Sequence, residues 1–156
     1  MADWLVYWQT YWAKISDPKQ VTPNWNSSSE SLYEKVQPGD VIWVVVAGGA
    51  GHETEWRLLE RFTVQTKRIN DSAEEYGWRY VGDDASHEVF DPMAPNDLTP
   101  ILTSLDFASS HPIRFSGRQI GQAIQGPREL AAHDAAVLDI CAKILPHIKR
   151  GVAGAG

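Results

Sequence analysis

The sequence predicts a small α+β domain that is mostly β, with five or six short strands and one terminal helix. The run Val41–Val46 is apolar throughout and follows the turn residues Gln37–Asp40, a pattern typical of a fully buried strand. A second apolar-rich run at 57–64 follows a glycine-rich connection, so the two runs predict a long hairpin. Residues 131–145 place apolar side chains on one stripe of a helix, which Pro146 ends. That stripe consists of Val137, Leu138, Cys141, Ile144 and Leu145.

The segment before the hairpin is predicted to begin with a strand at 4–13, because it is aromatic-rich, although its tryptophans also have helical spacing. Residues 15–31 are polar and contain two prolines, which indicates a loop, and a short helical turn is expected at 31–36. In the turn that follows, Gly39 supplies the positive φ that a type II turn requires.

The remaining elements are short. An exposed excursion is expected at 70–77, followed by a strand at 78–81, a turn at 83–84 and a second strand at 88–90. A helical turn is expected around 101–105, a last strand at 113–115 and a frayed tail at 151–156. This pattern favours a small β-barrel with a C-terminal helix and short flanking helices. It is one domain over residues 1–150, with 151–156 as a disordered tail.

Composition narrows the class of protein. The chain has 156 residues, 43% of them hydrophobic, and a net charge of -6, which argues against coating nucleic acid by bulk electrostatics. The single cysteine, Cys141, excludes an intramolecular disulfide and a multi-cysteine zinc site, and fits a reducing cytoplasm. No apolar stretch approaches the about 20 residues of a membrane helix, and no signal peptide is expected. We therefore expect a cytoplasmic protein without a membrane partner, cofactor or metal.

Five of the seven tryptophans divide into two groups by their surroundings. Four lie in aromatic or apolar runs and are expected to build the core: Trp4, Trp8, Trp12 and Trp43. Trp25 instead stands among polar residues after Pro23, where a large apolar ring is unusual unless it contacts a ligand or another part of the protein. Stacking on a flat ligand such as a nucleobase is one such contact. Covering the end of the barrel is an equally good alternative.

The sequence lacks the usual catalytic motifs. His52-Glu53 begins like a zinc-protease helix, but Trp56 stands where the second histidine is needed. The remaining enzyme hypothesis is a loose set of polar residues, namely His87 with Asp83, Asp84 and Ser86, or His111. Such groups on turns are more often solvated surface than a catalytic triad. The sequence therefore favours a protein that is not an enzyme.

Three stretches in order resemble the PUA-like superfamily, particularly its EVE and YTH branches. They are Trp25-Asn26-Ser27-Ser28 followed by Leu32, then Val36 to Val45 with its Pro-Gly-Asp turn, and finally His111 to Arg114 with Gln125 to Leu130. The chain departs from the ASCH branch, because it keeps only Gly51, Glu55 and Arg57 of that signature.

The resemblance implies a β-barrel whose aromatic pocket accepts one modified or flipped base of DNA or RNA. In this chain the implied pocket residues are Trp25, Asn26, Ser27 and Ser28, with Trp56 and Trp78 as candidate cage walls by position only. The implied contacts to the nucleic-acid backbone are Lys67, Arg68 and Arg118. A nuclease on a separate chain is a partner that the resemblance permits. Two alternatives stay open: a protein-interaction or regulatory domain, and a small enzyme acting on a nucleotide.

Overall fold

A computed structural model describes residues 1–9, 11, 17–27, 34–48, 55–69, 77–94, 97–109, 120, 124 and 127–151. The strands are β1 (Asp3–Tyr7), β2 (Asn24–Ser27), β3 (Val41–Ala47), β4 (Trp56–Ile69), β5 (Trp78–Gly82), β6 (Glu88–Phe90), β7 (Arg128–Glu129) and β8 (His147–Lys149). The helices are α1 (Thr99–Leu102) and α2 (Ala132–Ile144), with 3-10 turns at Pro18–Gln20 and Asp84–Ser86. The domain is therefore α+β and mostly β.

The strands form one mixed sheet in the order β2-β5-β4-β3-β1-β7, and β6 pairs with both β4 and β8. Only the pairing of β1 with β3 is parallel among these strands. Within the described residues, β2 and β7 stand at opposite ends of this order, so the sheet does not close. The expected closed barrel of five or six strands is wrong in this respect: the structure has an open sheet of eight.

Strand β4 bends because it carries one extra residue at each of two places. Val44 pairs with Glu60 but Val45 pairs with Leu58, which leaves Leu59 as the extra residue of a β-bulge. A second shift at Val64/Thr66 in the pairing with β5 leaves Gln65 as another. A bulge bends its strand and increases the local twist. The first part of β4 therefore pairs with β3 and β6, and the last part turns away to pair with β5.

The sheet is buried on both faces, so its central strand is apolar throughout. Strand β3 sends Trp43 and Val45 to one face and Ile42, Val44 and Val46 to the other. The first core is the cluster of Leu5, Trp43, Val45, Trp56, Leu58, Phe90, Leu98, Leu102, Leu105, Phe107, Ile120, Ile124, Leu130, Leu138 and Ala142. The second core is the cluster of Trp4, Val6, Tyr11, Val21, Val36, Ile42, Val44, Val46, Leu59, Phe62, Val64, Tyr80 and Val89. The helices α1 and α2 contribute to the first core only.

Several predicted elements are confirmed. The hairpin of β3 and β4, the strands β5 and β6, the turn of α1 and the terminal helix α2 all lie where the sequence places them. Gly39 has φ of 97°, as the turn before β3 requires. Trp4 and Trp43 are buried, and Trp8 is half-buried against the second core.

Other predictions are wrong. The expected loop at 15–31 contains β2, because Trp25 pairs across to β5 and packs against the second core. The first strand ends at Tyr7 rather than continuing to residue 13, and β7 and β8 were not expected. Ile144 is 77% exposed instead of lying on the core-facing stripe of α2.

Some expectations fall outside the described residues. These are Trp12, the connection at 49–51, the excursion at 70–76, the strand at 113–115 and the tail beyond Gly151. Gly151 itself is buried, and a Cβ there would lie 2.6 Å from the carbonyl oxygen of Ala85. Among the described helices, none is long and apolar enough to cross a membrane.

Candidate nucleic-acid interface

The candidate interface is built on three antiparallel strands, β2, β5 and the last part of β4. Residues that are direct partners across such strands point to the same face of the sheet. Trp25 pairs with Tyr80, and Tyr80 pairs with Lys67, which makes one row across the three strands. The next row of the same face, two residues further along each strand, is Ser27, Trp78 and Ile69.

This face runs from the second core out to solvent. Tyr80 is 0% exposed in the second core, and Trp25 is half-buried against that core. One row further, Trp78 is half-buried and Ile69 is 65% exposed. We call Trp25, Ser27, Trp78 and Lys67 the aromatic face. It brings together four of the residues that the resemblance implies, with one tryptophan in each row.

The opposite face of the same strands carries the other predicted residues. Asn26, Arg79 and Arg68 form one row there, since Asn26 pairs with Arg79 and Arg79 pairs with Arg68. The Nε of Arg79 donates to the Oδ1 of Asn26 at 3.1 Å. Asn26 is therefore engaged on the face away from Trp25, and the expectation that its amide reads a base beside that ring is wrong. Arg68 likewise points away from Lys67.

Trp56 does not belong to the aromatic face. It is 3% exposed in the first core, where its ring meets Tyr7 edge-on at a centroid distance of 4.6 Å. Its backbone accepts a 2.6 Å hydrogen bond from the amide of Leu98. Trp56 is thus a packing residue at the far end of β4 and cannot form a cage wall with Trp25. Ser28 and Arg118 lie outside the described residues.

Sequence reasoning missed Tyr80 and Arg79. The signal was the alternation in Trp78-Arg79-Tyr80-Val81, where aromatic residues occupy every second position, as a strand with one apolar face requires. The alternation identifies a shared face only together with the neighbouring strand β2, for which the sequence predicts a loop.

His87, the centre of the enzyme hypothesis, is sealed inside the protein. Its side chain is 0% exposed, and its Nε2 lies 3.0 Å from the Oε1 of Glu60, which is 1% exposed. Ser86 is engaged separately, because its hydroxyl accepts from the amide of Thr63 and donates to the carbonyl of Asp83. A histidine and a carboxylate do converge here, but no substrate can reach them. His111 lies outside the described residues.

Burial also sets the protonation of this pair. It raises the pKa of Glu60 well above its ordinary value, although the nearby ammonium of Lys149 lowers it in part. Burial, together with the same ammonium, lowers the pKa of His87 to about 4. His87 is therefore neutral at pH 7 and serves as a buried hydrogen-bonding group.

One group of side chains in the described residues has the geometry of metal ligands: Asp106, His133 and Asp134. Internal hydrogen bonds account for it. The buried carboxylate of Asp134 accepts from the backbone amides of Asp106, Phe107 and Ala131 at 2.8–3.0 Å. The Nε2 of His133 lies 2.8 Å from an exposed carboxylate oxygen of Asp106. The group thus caps α2 and anchors the preceding loop.

A cavity lined by Arg57, Phe90, Leu98 and Leu145 also lies on the side of the first core. It is away from the aromatic face and does not form part of the candidate interface.

In comparison with known proteins, the chain matches no family model and no curated protein. The three sequence stretches and the aromatic face are thus what bear on its function.

Proposed function

We propose that this protein is a non-catalytic nucleic-acid-binding module that recognises a modified or flipped base of DNA or RNA on its aromatic face. The observation that carries the proposal is the placement of Trp25 and Trp78 in adjacent rows of one face, with Lys67 beside them. The fold behind it is an open PUA-like sheet. A nuclease on a separate chain, in the cytoplasm, is the partner that we propose for it.

Partial burial suits Trp25 for stacking. The second core holds one side of the residue and limits its rotamers, so a base that stacks on its accessible part meets a surface that is already ordered. Base–aromatic stacking contributes about 1–3 kcal/mol per base. A modified base would then be distinguished from an ordinary one by its contacts with the two tryptophan rings.

A local group of positive side chains could bind phosphates although the net charge of the chain is -6. Lys67 lies on the aromatic face, while Arg68 and Arg79 are cross-strand partners on the reverse face of the same strands. Arg79 also donates its Nε to Asn26, and guanidinium and ammonium groups are the charge-assisted donors that suit a phosphate. We propose that the strand end carrying these three residues contacts the phosphates beside the bound nucleotide.

A protein-interaction domain remains the second candidate, and one observation favours it. Strand β2 lies at the end of the sheet order, so its outer edge has no partner strand within the described residues. A peptide could add to that edge as a further strand. This mode would depend on the backbone of β2 and not on the ring of Trp25.

The test is binding of Trp25→Ala to a panel of oligonucleotides, both DNA and RNA, with and without base modifications. Tryptophan emission of the wild-type protein should change with at least one member, and Trp25→Ala should bind that member about 5- to 150-fold more weakly. Trp25→Phe should recover part of the affinity.

Trp8→Ala is the matched control, because Trp8 is also half-buried against the second core but lies outside the aromatic face. It should fold less stably and bind normally. The proposal fails if no oligonucleotide changes the emission, or if Trp8→Ala and Trp25→Ala weaken binding equally.

A further inference from the structure

The apolar surface around the aromatic face continues past the two tryptophans to an exposed isoleucine. Trp78 is the direct cross-strand partner of Ile69, so the two side chains lie next to each other on one face. Ile69 is the last residue of β4 and is 65% exposed, and Trp78 is half-buried. Single exposed apolar residues are common, but this one lies beside a partly exposed tryptophan and enlarges its apolar surface.

The burial of Tyr80 fixes where this surface runs. Tyr80 lies between Trp25 and Lys67 in their row and is buried in the second core. The accessible apolar part of the face therefore passes from Trp25 through Trp78 to Ile69, on β2, β5 and β4 in turn. Neighbouring strands are about 4.8 Å apart, so this surface crosses about 10 Å of the sheet.

We propose that the ligand is a single-stranded segment of DNA or RNA in which a second, unpaired base covers Trp78 and Ile69 while the recognised base lies against Trp25. This inference rests on the proposed function and names its substrate class. Trp78 stands on the middle strand, with Trp25 on one neighbouring strand and Ile69 on the other. It therefore contacts both bases, one from each side.

Distances argue for an unpaired ligand. Consecutive bases of a duplex are about 3.4 Å apart along each strand, and each base is stacked and paired. A base that reaches Ile69, about 10 Å across the sheet from Trp25, must leave that stack. Aromatic side chains on protein sheets bind such unstacked bases, and every base offers a π-face for this contact. The second position should therefore tolerate any base.

Lys67 gives the second nucleotide a charged partner. It lies on the same face, two residues before Ile69 on β4 and one row from Trp78. Its ammonium group is a charge-assisted donor that suits a phosphate oxygen. The outer end of β4 thus offers an apolar contact for the base and a positive group for the phosphate beside it.

An abasic site in the ligand tests the second base. The probes are single strands of about ten nucleotides, as DNA and as RNA. Each carries adenine, methylated adenine, cytosine or methylated cytosine at the centre of a thymine or uracil run. The probe that changes tryptophan emission most is then remade with an abasic site directly before or directly after the central base. One of these two abasic probes should bind at least about 5-fold more weakly than the intact probe.

Variants of Ile69 show where the missing base was bound. Ile69→Tyr offers a larger surface to the second base and should tighten binding of the intact probe about 3- to 10-fold. Ile69→Thr keeps the β-branched shape of a strand residue and should weaken that binding about 2- to 5-fold. Neither variant should change binding of the weaker abasic probe, because the base that Ile69 contacts is gone. Both should fold normally, because Ile69 is exposed.

Met93 supplies the matched control. It is 55% exposed, like Ile69, but lies outside β2, β4 and β5. Met93→Tyr and Met93→Thr should therefore leave binding of every probe unchanged.

Pairing and salt give two further measurements. Annealing the probe to its complementary strand should weaken binding at least about 10-fold, because the second base must then be unpaired and unstacked. For the single strand, Lys67→Met should lower the slope of log affinity against log salt concentration by about 0.7, the value for one phosphate contact.

The outcomes separate this inference from the proposed function. Two abasic probes that both bind like the intact probe, or a duplex that binds as tightly as the single strand, overturn the second base. An equal effect of Ile69→Tyr on intact and abasic probes overturns it as well. If Trp25→Ala still weakens binding in these cases, the proposed function stands with one base as its ligand. If no probe changes the emission, both fail. Binding of the DNA probe, the RNA probe or both supports the inference, and the tighter of the two identifies the preferred strand.

Discussion

The Nε2 of His87 lies 3.0 Å from the Oε1 of Glu60 inside the second core, and the Nζ of Lys149 lies 3.1 Å from the Nδ1 of the same imidazole. A lysine ammonium can only donate, so Nδ1 must accept and the neutral ring must carry its proton on Nε2. His87 therefore donates to Glu60. Lys149, from the last strand β8, also pairs with Asp84 at the surface. The four side chains form a chain of hydrogen bonds from the core to solvent.

Removing Glu60 should make the protein sensitive to acid. In Glu60→Gln the causes that lower the pKa of His87, burial and Lys149, are both kept. The unfolded chain then takes up a proton on His87 below about pH 6.5, while the folded chain does so only near pH 4. Stability is therefore full above about pH 6.5, and about 3 kcal/mol is lost as the pH falls toward 4. Urea unfolding across this range measures the loss.

Removing His87 should give the opposite slope. In His87→Gln the amide can still donate to Glu60 and accept from Lys149, and burial still raises the pKa of Glu60. The folded chain then holds its proton at pH values where the unfolded chain has lost it. Stability is therefore full below the ordinary pKa of 4.5 and declines as the pH rises through the raised pKa of Glu60.

The double variant Glu60→Gln/His87→Gln is the reference for both measurements, because it contains every other titrating group and neither of these two. Slopes of the same sign in the two single variants, after subtraction of this reference, would contradict the assignment of the pair.

Replacing Asp134 should destabilise the protein by at least about 3 kcal/mol. In Asp134→Ala three backbone amides lose their acceptor, two of them on the loop before β7 and one at the start of α2. One of these residues, Phe107, has φ of 59°, which the hydrogen bond to Asp134 holds in place. The control is His133→Ala, because His133 is 58% exposed and should change stability by less than about 0.5 kcal/mol. Thermal unfolding with equal losses for both variants would refute this role.

Two glycines at either end of β5 should respond in opposite ways to alanine. A Cβ at Gly82 would lie 2.4 Å from a ring carbon of Phe62 and 2.9 Å from the Cβ of Pro23. Gly82→Ala should therefore cost about 1–3 kcal/mol through overpacking. Gly77 has open space around it, so Gly77→Ala should be neutral or stabilise the protein by up to about 1 kcal/mol. Denaturant midpoints of the two variants decide this, and a neutral Gly82→Ala would show that Phe62 moves freely.

Local chemistry explains which elements the sequence predicts. The Pro-Gly-Asp turn and the apolar run Val41–Val46 suffice for the hairpin, and Pro146 suffices to end α2. Strand β2 was missed because its polar residues, Asn24, Asn26 and Ser27, have weak strand propensity. Its strand geometry comes from pairing with β5, which lies about 50 residues later in the chain.

The same limit applies to the candidate site. Trp25 was identified from its polar surroundings, but which neighbours share its face depends on cross-strand register. That register separates Asn26 from Trp25 and Arg68 from Lys67, although each pair is adjacent in sequence. For Trp56 the surroundings in sequence are polar, and only the fold shows that its ring meets Tyr7 in the first core.

The bent strand β4 has a consequence for how the domain comes apart. It pairs with β3, β5 and β6, and its side chains enter both cores, as Leu58 and Leu59 do from neighbouring positions. Because both cores share β4, neither core can unfold without removing a strand from the other. The amides of β4 that hydrogen-bond to β3 should exchange with deuterium only through global opening, and both cores should be lost in a single cooperative step.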